Sequence, residues 1–164
     1  MIISLGAKIM SSMNKLDVLI TCINENIAYF EKRKVINRKR AYLLNLASII
    51  SSALITLLLG LKAVNVNLFT NIALFFASFL TIVNGIESFF NHKGLWYKDA
   101  RTLANLKELK RDIDFKIAGE PIDNISMKIL NEYKNRLQNI LSEDINTWSK
   151  MREELDQTQH VEKN

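Results

Sequence analysis

Between Arg40 and Glu87 the chain carries a single charge, Lys62, although Lys, Arg, Asp and Glu make up 24% of its 164 residues. That interval, inside "RKRAYLLNLASIISSALITLLLGLKAVNVNLFTNIALFFASFLTIVNGIESFF" (Arg38 to Phe90), restricts the fold more than any other feature. A helix on the surface of a soluble protein shows charged residues on its outer face, and Ala41 to Leu61 shows none on any face. As a helix those 21 residues would extend roughly 32 Å, close to the roughly 30 Å hydrocarbon thickness of a bilayer. A second run, from about Leu68 to Ile86, is rich in Leu, Ile and Phe and similar in length, with only a short turn around Lys62 to Asn67 between the two. Two antiparallel transmembrane helices follow, over about 41–61 and 68–88. A buried helical hairpin in a soluble protein is the alternative, but nothing else in the chain is apolar enough to wrap it on all sides.

The flanks set the orientation. Lys32, Arg33, Lys34, Arg38, Lys39 and Arg40 precede the first apolar run, and Lys93, Lys98, Arg101, Lys107, Lys110 and Arg111 follow the second, whereas the turn holds Lys62 alone. The excess of basic residues on cytoplasmic flanks therefore places both termini in the cytoplasm. The same placement accounts for the formal charge of +5, since basic residues beside a membrane helix face anionic headgroups. No nucleic-acid recognition motif is present, so direct nucleic-acid binding is not expected. The start, "MIISLGAKIMSSMNK", has its apolar residues before its first Lys and too few of them. That order reverses a secretory signal, and the segment is expected to be retained. "LITC" around Cys22 is a weak match to a lipoprotein box, interrupted by Asp17. Cys22 is the only cysteine, which excludes an intramolecular disulfide and suits simple packing.

Helix breakers organise the rest. Glycine occurs only at 6, 60, 85, 94 and 119, and the single proline is Pro121, so from about Ser12 to Leu59 one unbroken helix is allowed. Three apolar stripes at helical spacing then need one another. The first is Leu16, Leu19, Ile20, Ile23, Ile27 and Phe30; the second runs from Trp96 and Ala100 through Leu103, Leu106, Leu109, Ile113 and Ile117, closed by Gly119 and Pro121. The third carries Ile125, Ile129, Leu130, Tyr133, Leu137, Ile140, Leu141, Ile145, Trp148 and Met151. No strand pattern appears. The expected fold is an all-α membrane protein: a two-helix transmembrane hairpin with long cytoplasmic helical extensions and a third packed cytoplasmic helix. Its expected segments are an N-terminal amphipathic helix (1–40), the hairpin (41–90), a cytoplasmic helical region (91–155) and a flexible polar tail (156–164).

A basic amphipathic segment, then a two-helix hairpin, then "ESFFNHKGLWYKDARTLANLKELKRDIDFKIAGEP" and a last helix with a late Trp ("DINTWSK") resembles the SLATT family. Those are bacterial two-transmembrane effectors associated with SMODS nucleotidyltransferases and SLOG sensor domains. The resemblance covers about Leu16 to Lys150 and rests on arrangement and on "LWYKDARTLANLKELK" rather than on a catalytic signature. It implies a membrane-disrupting, pore-forming effector of an antiphage or nucleotide-signalling conflict system. When a partner sensor fires, the hairpins would breach the membrane and cause cell death or arrest. The implied partners are the lipid bilayer, further copies of the chain, and a nucleotidyltransferase, reverse transcriptase or other sensor encoded nearby.

Within the hairpin, Asn45, Ser48, Ser52 and Thr56 recur every three or four residues along one side of the first helix. Ser78, Thr81 and Asn84 do much the same on the second, and Glu87 lies at its cytoplasmic end. Small and hydroxyl residues allow close helix packing; the same side chains could line a pore when several hairpins associate. Catalysis finds no support. His92 and His160 have no Cys or carboxylate spacing that would make a metal site, no Gly-rich phosphate loop exists, and "KELKRDID" reads as a solvated ion-paired face. Neither enzymatic activity nor a cofactor is expected. Two alternatives to the effector stay open: a holin-like lysis protein, or a non-conducting anchor that holds a cytosolic partner at the membrane.

Overall fold

The computed structural model describes residues 14–60, 66–118 and 126–161. Among these the chain is entirely helical, without a strand: α1 (Lys15–Gly60), α2 (Val66–Phe90), α3 (His92–Ile117) and α4 (Met127–Val161). α1 runs unbroken for 46 residues because neither glycine nor proline lies within it before Gly60; those are the residues whose helix cost, about 1 and 3 kcal/mol, would impose a stop. The expected membrane spans fall at the C-terminal end of α1 and within α2. The segment before Asn14, the turn at Lys62 and the helix stop at Gly119 and Pro121 lie outside the described residues. α4 runs on to Val161, into the stretch expected to be a polar tail from Asp156. No glycine or proline follows Met127, so the helix continues after its apolar stripe has ended.

α2 and α3 are separated by one residue. Asn91 has φ 48°, in the left-handed region that asparagine tolerates better than most side chains. Its N–H donates to the Glu87 carbonyl at 2.7 Å, which closes α2 as a left-handed cap. Its side-chain Oδ1 accepts from the Gly94 N–H at 3.0 Å, an N-cap on α3. A Cβ at Gly94 would stand 2.6 Å from both Asn91 Nδ2 and Met151 Cε, so any larger residue there would have to displace these side-chain ends.

The described residues form two compact units. The first holds α1 up to Arg33, α3 from Lys98, and α4 up to Lys150. Its core is Leu16, Leu19, Ile23 and Phe30 from α1, Leu103, Leu106, Leu109 and Ile113 from α3, and Leu137 from α4. Burying side chains of this kind stabilises by about 1.5–3 kcal/mol each. The three stripes therefore do meet, with one departure. Ile145 and Trp148, expected in the α4 stripe, are 63% and 47% exposed, and Asp144 takes the buried position instead.

The second unit comprises α1 from Lys34, α2, α3 up to Tyr97, and α4 from Met151. Both apolar runs lie in it and are long and apolar enough to cross a membrane. Only 6% and 11% of their most apolar windows are buried, which separates them from core helices of a soluble protein. Ser51, Ala73 and Val83 are the buried side chains within the two spans, so the close contacts are made through small residues. Leu43, Ile49, Leu57, Leu74, Phe75 and Ile82 stand outward, each more than half exposed, an apolar surface that water would disfavour.

Candidate functional site

Two groups of polar side chains stand out, one in each unit. In the hairpin unit the Ser48 hydroxyl donates to Asn84 Oδ1 at 3.0 Å, which ties α1 to α2 toward the ends of the apolar runs nearest Arg40 and Glu87. Asn45 and Glu87 line one groove with this pair; Ser52, Thr56, Ser78 and Thr81 do not join it. Asn45, Ser52, Thr56, Ser78 and Thr81 are exposed. Thr56, Ser78 and Thr81 donate at 3.0 Å to carbonyls of their own helices, those of Ser52, Leu74 and Ala77, a local bond that serines and threonines make in apolar helices. Glu87 is half-buried and doubly engaged: His92 Nδ1 lies 3.1 Å from Oε2, and the Lys93 backbone N–H donates to Oε1 at 3.1 Å. Its carboxylate thus supports the first turn of α3, where a negative charge is favoured.

Of the basic residues before the first span, Lys32, Arg38, Lys39 and Arg40 are exposed, Lys34 is half-buried, and the Arg38 guanidinium lies 5.8 Å from the Trp96 ring centre. Arg33 is different. It lies in the first unit, where its Nη2 stands 3.2 Å from Asp99 Oδ1.

That contact belongs to a cluster which the charge pattern conceals. Lys98 and Asp99 are 6% and 0% exposed. Lys98 Nζ lies 2.5 Å from Asp144 Oδ1 and 3.3 Å from Asp99 Oδ1, and 5.8 Å from the centre of the Phe30 ring. The Thr102 hydroxyl donates to Asp144 Oδ1 at 2.7 Å. Two cations and two carboxylates therefore neutralise one another where α1, α3 and α4 meet. The charge pattern groups Lys98 with the headgroup-facing residues; in the structure it is a core residue, because Asp144 gives it a partner out of water. Around it lies an ordinary ion-paired surface, with Lys107 on Glu31 at 2.6 Å and Arg136 on Asp112 at 2.8 Å. Among the described residues no three His, Cys, Asp or Glu side chains converge as a metal would require. The arrangement is suited to holding helices and charges in register.

The family model described as a protein of unknown function, DUF4231, matches residues 25–112, which is more than half of the chain. No curated protein and no solved structure matches.

Proposed function

We propose, from the premise that the chain belongs to the DUF4231 family of proteins of unknown function, that it is a membrane-disrupting effector whose hairpins associate to form a pore. The observation that carries this reading is the outward placement of Ser52 and Thr56 on a hairpin whose seam is already closed by Ser51, Ala73 and Val83. Polar groups on the outer face of a membrane helix are costly against lipid and are relieved by a second hairpin or by water. The resemblance to the SLATT family supplies the biological setting. In it the chain sits in a bacterial inner membrane with both termini cytoplasmic, and a sensor encoded nearby triggers it to kill or arrest the cell. The first unit, with its own core, also suits the anchor reading, since it offers a folded body to a cytosolic partner.

Expression with a membrane-potential dye and the triggering partner separates these. Ser52→Leu with Thr56→Leu keeps the span apolar, and Leu is favoured at the bilayer centre by about 0.5 kcal/mol on insertion scales. The expected result is a chain that inserts at wild-type abundance and no longer depolarises cells. Full depolarisation by the inserted double variant would remove these residues from the conducting path and leave the anchor as the better reading.

A further inference from the structure

We infer that the hairpin unit holds one anionic phospholipid in the groove between α1, the end of α2 and the start of α3, an inference that rests on the membrane reading above. The groove encloses about 810 Å³, within the range of small-ligand sites, roughly 300–1,000 Å³. Its chemistry is graded along α1. Lys34, Arg38 and Lys39 line one end, Ala41 and Leu44 the middle, and Asn45 and Ser48 the other end. Positions 34, 38, 41, 45 and 48 are spaced by three or four residues, so they share one helix face. From Arg38 to Ser48 that face rises about 15 Å, the depth of one leaflet of hydrocarbon.

Charge and hydrogen bonding both select the occupant. Four cations line the groove, Lys34, Arg38, Lys39 and Lys93, against one carboxylate, Glu87, which His92 and the Lys93 N–H already engage. The excess is 4 − 1 = 3 positive charges at one end of an apolar trough, an arrangement that attracts an anion. Arg38 is held over Trp96, and Tyr42 lines the same end, which places two interface-seeking aromatics at headgroup depth. Deeper in, the Ser48 hydroxyl uses Asn84 Oδ1 as its acceptor, so the Asn84 amide nitrogen remains a donor, as does that of Asn45. Ester carbonyls of a glycerolipid are acceptors at that depth. A free phosphate would satisfy the cationic end and leave the apolar middle wet. A zwitterionic lipid would bring its own ammonium to a cationic rim. An anionic phosphodiester with acyl chains suits both ends.

The test reconstitutes the full chain in nanodiscs of phosphatidylcholine doped with phosphatidylglycerol, then releases it into mild detergent for native mass spectrometry. One retained phosphatidylglycerol per chain is expected, with no matching phosphatidylcholine. Arg38→Gln with Lys93→Gln should lower that retention about 25-fold, roughly fivefold per charge removed near an anionic headgroup. Arg38→Lys should keep most of it, and Lys128→Gln with Lys134→Gln, on the exposed side of α4, should leave it unchanged. Equal retention of both lipids, equal losses in the two double variants, or complete displacement by inorganic phosphate would overturn the lipid site while leaving the membrane reading intact. Failure to enter any nanodisc would overturn both.

Discussion

Lys98, Asp99 and Asp144 are charged side chains removed from water in the first unit, and each depends on the others for compensation. Removing Lys98 leaves Asp144 buried without a counter-charge, while Asp99 keeps Arg33; breaking such a buried pair costs about 3–5 kcal/mol, whereas replacing both partners by apolar residues of similar volume is often neutral or better. Lys98→Met is therefore expected to lower the melting midpoint of the detergent-solubilised protein by on the order of 10 °C. Lys98→Met combined with Asp144→Leu should regain most of that loss. Equal destabilisation of the single and double variants would show that the side chains matter separately and not as a pair. These residues were not legible in the sequence. A charged side chain in "LWYKDART" has the same letter whether it faces headgroups or a carboxylate on a distant helix, and the partner at Asp144 lies 46 positions away. Leu103, Leu106 and Leu109 were legible because burial of an aliphatic side chain needs no named partner.

At the scale of elements, the long α1 could be read from the absence of breakers, and the core faces of α1 and α3 from their spacing. The division between α2 and α3 could not. Asparagine inside a helical pattern is a weak signal, and only its φ of 48° together with bonds to Glu87 and Gly94 reveals that it ends one helix and begins the next. The two roles make a distinguishing experiment possible. Asn91→Val loses the cap and forces a β-branched side chain into left-handed backbone, at about 2–3 kcal/mol in all. Asn91→Gly also loses the side-chain bond but relieves the backbone, and should cost only a few tenths of a kcal/mol. Hydrogen exchange at the Lys93 and Gly94 amides would follow the same order, with fast exchange in the valine variant. Similar exchange in both variants would remove the backbone conformation from the account. The α4 stripe shows the limit of reading by period: Ile145 and Asp144 are neighbours, and a shift of one position decides which of them is buried.

For the whole molecule, the hairpin was the most legible feature, since almost fifty residues with one charge leave few other folds. The direction in which it is threaded rests on the basic flanks, and these are thinner than they look: Arg33, Lys98, Arg101 and Lys107 are all committed to carboxylates, while Lys32, Lys34, Arg38, Lys39, Arg40, Lys93, Lys110 and Arg111 are left to set the orientation. In a Cys22→Ser background, a cysteine introduced by Asn67→Cys is expected to react with an impermeant thiol reagent in intact cells. One introduced by Glu132→Cys should react only after permeabilisation. The reverse pattern would invert the topology, and reaction of both in intact cells would discard it. The closed seam at Ser51, Ala73 and Val83 has a further consequence for the proposed pore. One chain has no lumen of its own, so permeability belongs to a meeting of copies and grows as a power of their surface density, not in proportion to it. A cell could then carry a low standing level of this protein at little risk, and a sensor need only crowd the copies together, without reshaping any one of them, to cross from harmless to lethal.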